Sequence, residues 1–165
     1  MINLKKLSNK DITEKYLKWM NDKKVHQYTE QRHSKHSIKK IKKFVSEKNK
    51  SKNEFLFGIY LKNQHIGNIK LGPINNIHKY AFISYFIGER NLNGKGYATI
   101  AIKKIISIAK KKKIKKLKAG VYAMNIGSQK ALKKNGFIKE GVLKKEYIFK
   151  RKRINCFLFG KVMKN

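Results

Sequence analysis

The stretch that most restricts the fold lies between residues 80 and 111. YAFISYFI, Tyr80–Ile87, is an apolar run of strand length, and the glycine-rich NLNGKG follows at residues 91–96. Over residues 96–111 the apolar spacing becomes helical. Ala98, Ala101, Ile102, Ile105, Ile108 and Ala109 share one side, with Lys103 and Lys110 opposite. A strand that passes through a glycine turn into an amphipathic helix implies a sheet with helices packed on it, a mixed α/β class.

The rest of the chain supports that class. Residues 2–7 alternate weakly, as a first strand would. Residues 11–20 read as a short helix with Ile12, Tyr16, Trp19 and Met20 on one side, and residues 25–36 as a loop. Ser37 can cap a helix through Val45, with Ile38, Ile41, Phe44 and Val45 as its stripe. Phe55–Leu61 is an expected strand, Asn63-Gln64 a turn, and residues 65–71 the returning strand, broken by Gly72-Pro73. Lys116–Tyr122 is a strand, and residues 128–135 are a helix ended by Gly136. Residues 137–142, 147–149 and 154–162 have strand character. The expected order is β-α-α-β-β-β-α-β-α-β-β in one domain, residues 1–165.

Composition narrows the function. No apolar run approaches a membrane span, no apolar stretch marks a secretory signal, and Cys156 is the single cysteine, so a soluble cytoplasmic protein is expected. Lys and Arg number 42 against 9 acids, a formal net charge of +33. Such a balance suits a nucleic-acid surface, but only Arg32, Arg90, Arg151 and Arg153 carry the guanidinium fork that specific readers favour. Aromatic residues are not interleaved with the basic clusters. Lysines drifting onto solvated faces is the favoured reading, and their field would still draw in an anionic ligand.

A glycine turn at the mouth of a helix can hold a phosphate, because the first N–H groups are unpaired and glycine lets them converge. The P-loop spacing GxxxxGK[ST] is absent. A dinucleotide fingerprint fails twice: Thr99 stands at the third glycine position, and no acid lies between Glu89 and Glu140. The turn resembles the pyrophosphate motif of the GNAT acetyltransferases, [Q/R]-x-x-G-x-[G/A], with Asn93 in the first place and Gly96 and Ala98 in the small-residue places. NIGSQKALKKNGF, residues 125–137, resembles the family's next unit, N-x-x-S-x-x-x-L-x-x-x-G-F. YLKWMND, residues 16–22, resembles the opening helix of the RimJ/RimL-type branch. HIGNIKLGPIN, residues 65–75, resembles a subgroup common among surface-polysaccharide genes.

The resemblance implies a mixed sheet of seven strands, splayed in the middle between Tyr80–Ile87 and Lys116–Tyr122 and flanked by four helices. Acetyl-CoA would be the co-substrate, with no metal. Its pantetheine would run beside Tyr85, Phe86 and Ile87, and its pyrophosphate would sit at Asn93, Gly94, Lys95, Gly96, Tyr97, Ala98 and Thr99. Asn125 and Ser128 would touch the pantetheine; Asn125 reads equally as a helix cap.

The catalytic groups are less plain. Many members place a thiolate-protonating tyrosine where this chain has Leu132, which leaves Ser128 as the nearest matching hydroxyl. The strand position where an acid is common holds Phe82. TEQRH, residues 29–33, occupies the loop that borders the acceptor in this fold, so Glu30 and His33 are candidates for proton handling or acceptor binding, with Arg32, Asn75 and His78 as further acceptor contacts. His33 and His36 have HxxH spacing without a further ligand set. The expected acceptor is a primary amine, on a nucleotide-linked amino sugar or at a protein N-terminus, and the protein a monomer or homodimer. The alternative is a non-catalytic protein that binds CoA or nucleic acid.

Overall fold

The computed structural model describes residues 1–164. Its centre is a seven-stranded sheet in the order β1-β2-β3-β4-β5-β7-β6. The strands are β1 (Ile2–Lys6), β2 (Phe55–Leu61), β3 (Gln64–Asn75), β4 (Tyr80–Ile87), β5 (Lys116–Tyr122), β6 (Ile138–Phe149) and β7 (Lys152–Val162). The helices are α1 (Glu14–Asn21), α2 (Ile38–Lys50), α3 (Tyr97–Lys111) and α4 (Ile126–Lys134). This is the mixed fold expected from the sequence, splayed at the expected strands.

Each face of the sheet carries its own core, because strand side chains alternate. Ala81 and Ile83 of β4 are buried in the cluster that includes Ala101, Ile102, Ile105 and Ala109 of α3, and Tyr85 and Ile87 pack against it. Phe86 packs against the other cluster, where Tyr16 and Trp19 of α1 meet Ile41 and Val45 of α2. Those pairs sit three and four residues apart, so each helix presents one apolar stripe.

Several boundaries differ from the sequence reading for local reasons. α1 begins at Glu14, not residue 11, because Asp11 accepts hydrogen bonds from the Ser8 backbone, the Ser8 hydroxyl and the Tyr60 hydroxyl, which hold it in a short 3-10 turn. Thr13 then caps the helix by accepting from the Tyr16 N–H. α2 continues to Lys50 past the end of its apolar stripe, since lysine supports helix without burial. β3 runs through Gly72-Pro73 instead of stopping there; the proline's missing N–H falls within a register shift between Leu71 and Ile74. α4 starts at Ile126. β6 is continuous where two pieces were expected, with a register shift between Leu143 and Tyr147. The loop over residues 25–36 contains a 3-10 turn, Glu30–His33.

Every neighbouring pair in the sheet is antiparallel except β4 and β5. These two pair in parallel only at Tyr80, Ala81 and Phe82 against Lys116, Leu117 and Lys118. Beyond Phe82 they part, while β5 stays paired to β7 along its length. No described helix is long and apolar enough to cross a membrane. Exposed lysines lie on α2, α3, α4 and β6, on both layers and at the sheet edge, so the charge is scattered rather than gathered into one stripe.

Gly67 of β3 sits where β4 passes closest. A Cβ there would fall well inside 3.0 Å of the Phe86 carbonyl oxygen, a backbone atom that cannot swing away. Gly67→Ala should therefore destabilise the fold by about 1–3 kcal/mol, read as a lower urea midpoint at unchanged slope; a wild-type midpoint would contradict the close packing of β3 on β4.

Candidate active site

The site is the gap that opens where β4 leaves β5. The Gly88 N–H donates to the Ile66 carbonyl on the β3 side. Backbone groups alternate along a strand, so those of Ile83, Tyr85 and Ile87 point away from β3 into the gap, where β5 has already departed. A row of main-chain donors and acceptors without a neighbouring strand suits an extended ligand arm.

Three cavities meet at this gap, and Tyr85 and Thr29 line all of them. The first, about 380 Å³, lies over the start of α3 and contains Ile87, Asn93, Gly94, Gly96, Tyr97, Ala98 and Thr99, with Asn125 and Ser128 from α4. Gly94 and Gly96 have φ of +76° and +82°, in the left-handed region that favours glycine. A Cβ at either would meet nothing within 4 Å, so the turn is open to a ligand. No side chain caps α3; Ile100 is bonded to the Gly96 carbonyl, and the preceding N–H groups of the first turn are left to a ligand. Lys24, Lys130 and Lys134 stand in the wall of this cavity.

The second cavity, about 400 Å³, opens on the α1 and α2 side. Met20, Ile41, Phe44, Leu56 and Phe86 give it apolar walls, and His26, Glu30, His36, Lys40, Asn68, Lys70 and Ser84 bring polar groups to it. Lys70 is ion-paired to Glu54 at 2.6 Å, and Glu54 also binds Lys48, so this lysine is held as part of a structural pair. The third cavity, about 230 Å³, crosses the gap to Tyr122, Tyr147 and the buried thiol of Cys156, whose pKa burial raises.

Three hydrogen-bonded groups border the junction. The hydroxyls of Tyr85 and Ser128 lie 2.7 Å apart and bridge β4 to α4. Burial pushes the Tyr85 phenol up to about 12, against the Ser128 bond, so it stays protonated at neutral pH. On the other side Tyr122 donates to the Glu30 carboxylate. Burial first, then that bond, raises the Tyr122 phenol above its ordinary range. Arg32 pins the loop that carries Glu30: its guanidinium donates to the Ile148 carbonyl at 2.7 Å and the Gln27 carbonyl at 3.2 Å, and stacks over Tyr122 and Phe149 at 5.1 and 5.4 Å.

The third group is His26, in the same loop and 1% exposed. Its Nδ1 lies 3.1 Å from the Thr29 hydroxyl, and its ring packs edge-on to Phe86 at 4.7 Å. Burial, helped by His36 and opposed by Asp22, lowers its pKa from 6.5 to about 4, so the imidazole is neutral at pH 7.

The structure brings together Glu30, Tyr85, Phe86, Ile87, Asn93, Gly94, Gly96, Tyr97, Ala98, Thr99, Asn125 and Ser128. Asn125 is a helix cap: its side-chain oxygen accepts from the Ser128 N–H at 3.1 Å. Others stand apart. Lys95 is exposed on the turn and outside the cavity walls, where the lysines present are Lys24, Lys130 and Lys134. His33 is exposed and bonded to Arg32 Nε, and Arg32 braces the loop rather than lining a cavity. Asn75 and His78 bond each other in the turn before β4, at the end where β4 and β5 are still paired. Among the described residues no cluster of three His, Cys, Asp or Glu side chains is placed to hold a metal.

Sequence reasoning missed His26, Ser84, Tyr122 and the two α4 lysines. Lys130 and Lys134 are four apart on one helix and so share a face, a signal that was present. His26 and Tyr122 gave none, because their neighbours come from β4 and from residue 30.

A family model described as "Acetyltransferase (GNAT) domain" matches residues 2–138. The Probable N-acetyltransferase YjcK of Bacillus subtilis (strain 168) is 36% identical over 96 residues, 56% of this chain and 52% of that protein, so the match spans about half the length of this relative. The spermidine N-acetyltransferase of Vibrio cholerae, solved with CoA and spermine, superposes with a TM-score of 0.87 at 19% identity over 98% of this chain and 95% of its own. RimL, the ribosomal L7/L12 alpha-N-protein acetyltransferase solved with CoA, gives 0.88 at 15% identity over 98% and 94%. The microcin C7 self-immunity acetyltransferase MccE, solved with acetyl-CoA and AMP, gives 0.84 at 24% over 98% and 92%.

The lowered His26 pKa also makes a stability statement. Between pH 6.5 and pH 4 the unfolded chain binds a proton at His26 that the native protein refuses, so this site lowers stability as pH falls through that window and has no effect above it. The full shift is worth about 3 kcal/mol. Urea unfolding of wild type and His26→Gln across this range should show that part of the slope vanish in the variant; parallel slopes would mean His26 protonates freely in the folded state.

Proposed function

The chain belongs to the GNAT acetyltransferase family, and from that premise we propose that it transfers the acetyl group of acetyl-CoA to a primary amine by direct attack in a ternary complex, the acceptor being a nucleotide-linked amino sugar. The observation that carries the reading is the gap itself. It has an unblocked glycine turn at one end, an apolar-walled cavity on the opposite face, and Tyr85 where the two meet.

In this reading the diphosphate rests on the free amides at the start of α3, with Lys130 and Lys134 adding positive charge. The pantetheine arm takes the place of a strand along the main chain of Tyr85 and Ile87. The co-substrate supplies an activated thioester carbonyl. Amine attack forms a C–N bond, breaks the C–S bond, releases a proton from nitrogen and leaves a thiolate that must gain one. An amide N–H of β4 facing the gap would steady the oxyanion. Glu30, held by Tyr122 and open to both flanking cavities, would take the amine proton directly or through water. The Ser128 hydroxyl would protonate the thiolate and be resupplied by the Tyr85 phenol, 2.7 Å away. This pair stands in for the tyrosine that Leu132 replaces.

Charge supports the proposed acceptor class. Of the nine acids only Glu30 lines the acceptor cavity, beside Lys40, while Lys70 is balanced by Glu54. One carboxylate facing a lysine suits a single amine on an anionic body better than a polycation. The apolar walls suit a deoxygenated sugar ring or a base.

Three outcomes test this reading. Gly96→Val should abolish acetyl-CoA binding while the protein still melts cooperatively, because a β-branched residue resists a φ of +82° and covers the amides; micromolar affinity retained in calorimetry would show that the diphosphate lies elsewhere. Tyr85→Phe should lower kcat by up to about 100-fold with acetyl-CoA affinity unchanged, the low end of general acid catalysis because the Ser128 hydroxyl remains and only its resupply is lost; an unchanged kcat would remove the hydroxyl pair from the mechanism. Thiol release measured with a panel of 4-amino-sugar nucleotides and N-terminal peptides should rise with the former; release with peptides alone would move the acceptor to a protein α-amine.

A further inference from the structure

The two ends of the splayed sheet carry different surfaces. One end holds the glycine turn and the gap. At the other, β4 and β5 are still paired, and the ladder sets Tyr80 beside Lys116, Lys116 beside Val162, and Ile138 beside Gly160. The turn between β3 and β4, residues 76–79, and the last turn of α3 close this second end. The length of β4, about 20 Å, separates it from the gap.

Two features coincide there. The first is charge. Lysines cover every face, but the densest run in the chain, KKKKIKKLK at residues 110–118, ends α3 and begins β5. Lys110, Lys113, Lys115 and Lys164 line a cavity of about 280 Å³ over the buried Ile114 and Met163. The N–H groups of Lys115 and Lys116 donate to the Lys79 carbonyl at 2.6 and 3.2 Å, which ties the β3–β4 turn to the run. Residues 76–79, 110–118 and 160–164 contain no acid. Glu54 and Glu140, which reach this end from the starts of β2 and β6, are taken by Lys48, Lys70 and Lys116.

The second feature is exposed aliphatic surface. Ile77 at the tip of the turn is 85% exposed, Val162 69% and Ile138 66%; among the described large apolar side chains only Met1 is more exposed. Single exposed aliphatics are ordinary, and so is a solvated lysine face. Aliphatic tips set within a field of lysines are not, and the pair of properties matches a bilayer interface, where headgroups meet acyl chains.

We propose that this end of the molecule docks on an anionic phospholipid bilayer, with its lysines against the headgroups, Ile77 and Val162 at the acyl boundary and Ile138 at the margin. The chemistry favours lipid over nucleic acid. The four arginines sit at the opposite end, in the loop after α1, after β4 and at the β6–β7 hairpin. The rings that could stack a base, Tyr80 and Phe82, are covered by Lys118 Nζ at 4.8 and 5.1 Å. An aliphatic tip gains free energy from hydrocarbon and little from a phosphate backbone. Docking of this kind is peripheral and weakens with salt, and it leaves the gap at the far end open to solvent.

The test uses the intact protein and needs no acceptor. Sedimentation at physiological salt should show binding to vesicles of phosphatidylglycerol and phosphatidylcholine that vesicles of phosphatidylcholine alone do not support. Lys110→Gln/Lys113→Gln/Lys164→Gln should weaken that binding at least ~10-fold. Lys39→Gln/Lys42→Gln/Lys144→Gln removes equal charge from elsewhere and should leave it within about twofold, because salt screens distant charges. Ile77→Ser should weaken it several-fold, and Ile77→Trp should shift its emission to the blue on mixing with the anionic vesicles, against the steady signal of the buried Trp19. Acetyl-CoA affinity should match wild type in every variant. Absence of vesicle binding, equal weakening by the two lysine sets or an unshifted emission at residue 77 would each overturn the proposal. Tighter binding to an oligonucleotide at the same salt, lost in the first lysine variant and indifferent to Ile77→Ser, would assign the surface to nucleic acid and overturn the lipid reading. A fall in acetyl-CoA affinity matching the loss of vesicle binding would do the same by placing these lysines at the co-substrate site.

Discussion

The functional geometry depends on a hydrogen-bond ladder that stops early. β4 and β5 share three paired positions and then diverge, although both are paired on their outer sides. A buried main chain without partners is unfavourable, and proteins rarely tolerate it without a ligand or water to complete it. The gap can persist because β5 is locked to β7 and β4 to β3, while α3 packs beneath with four fully buried side chains, Ala101, Ile102, Ile105 and Ala109. The sheet therefore behaves as two rigid halves joined over one short segment.

Side-chain contacts bridge the gap that the main chain leaves. The Tyr85–Ser128 pair links β4 to α4, and the Tyr122–Glu30 pair links β5 to the loop between α1 and α2. Arg32 ties that loop to β6. The loop thus forms one wall of all three cavities while being anchored to the second half of the sheet. Thr29 of this loop and Tyr85 of β4 belong to every cavity wall, so the loop joins the cavity over α3 to the one on the α1 and α2 side.

Much of the architecture was legible in the sequence where the pattern is local. Tyr80–Ile87, Phe55–Leu61 and Lys116–Tyr122 agree with the structure residue for residue, since apolar runs of strand length bounded by turns leave few alternatives. The glycine turn was legible for the same reason: Gly94 and Gly96 sit at positive φ, and their chemistry is carried by the backbone. Boundaries failed where a distant partner intervened. Asp11 is kept out of α1 by Tyr60, and Pro73 is absorbed into β3 by a register shift that depends on β4. His33 and His78 looked chemical in the sequence yet are exposed, whereas His26, with no pattern around it, is buried beside the cavity on the α1 and α2 side.

The sequence by itself determined the alternation of strands and helices, the open turn at the head of α3 and the scarcity of acids, because periodicity, glycine backbone freedom and composition act within a few residues of chain. The tertiary structure decided which polar groups face the gap. Glu30 meets Tyr122 and Tyr85 meets Ser128 across separations of 92 and 43 residues, and the burial that keeps His26 neutral comes from packing against Phe86. Protonation state and hydrogen-bond role follow from surroundings assembled out of distant segments, so no local spacing of residues encodes them.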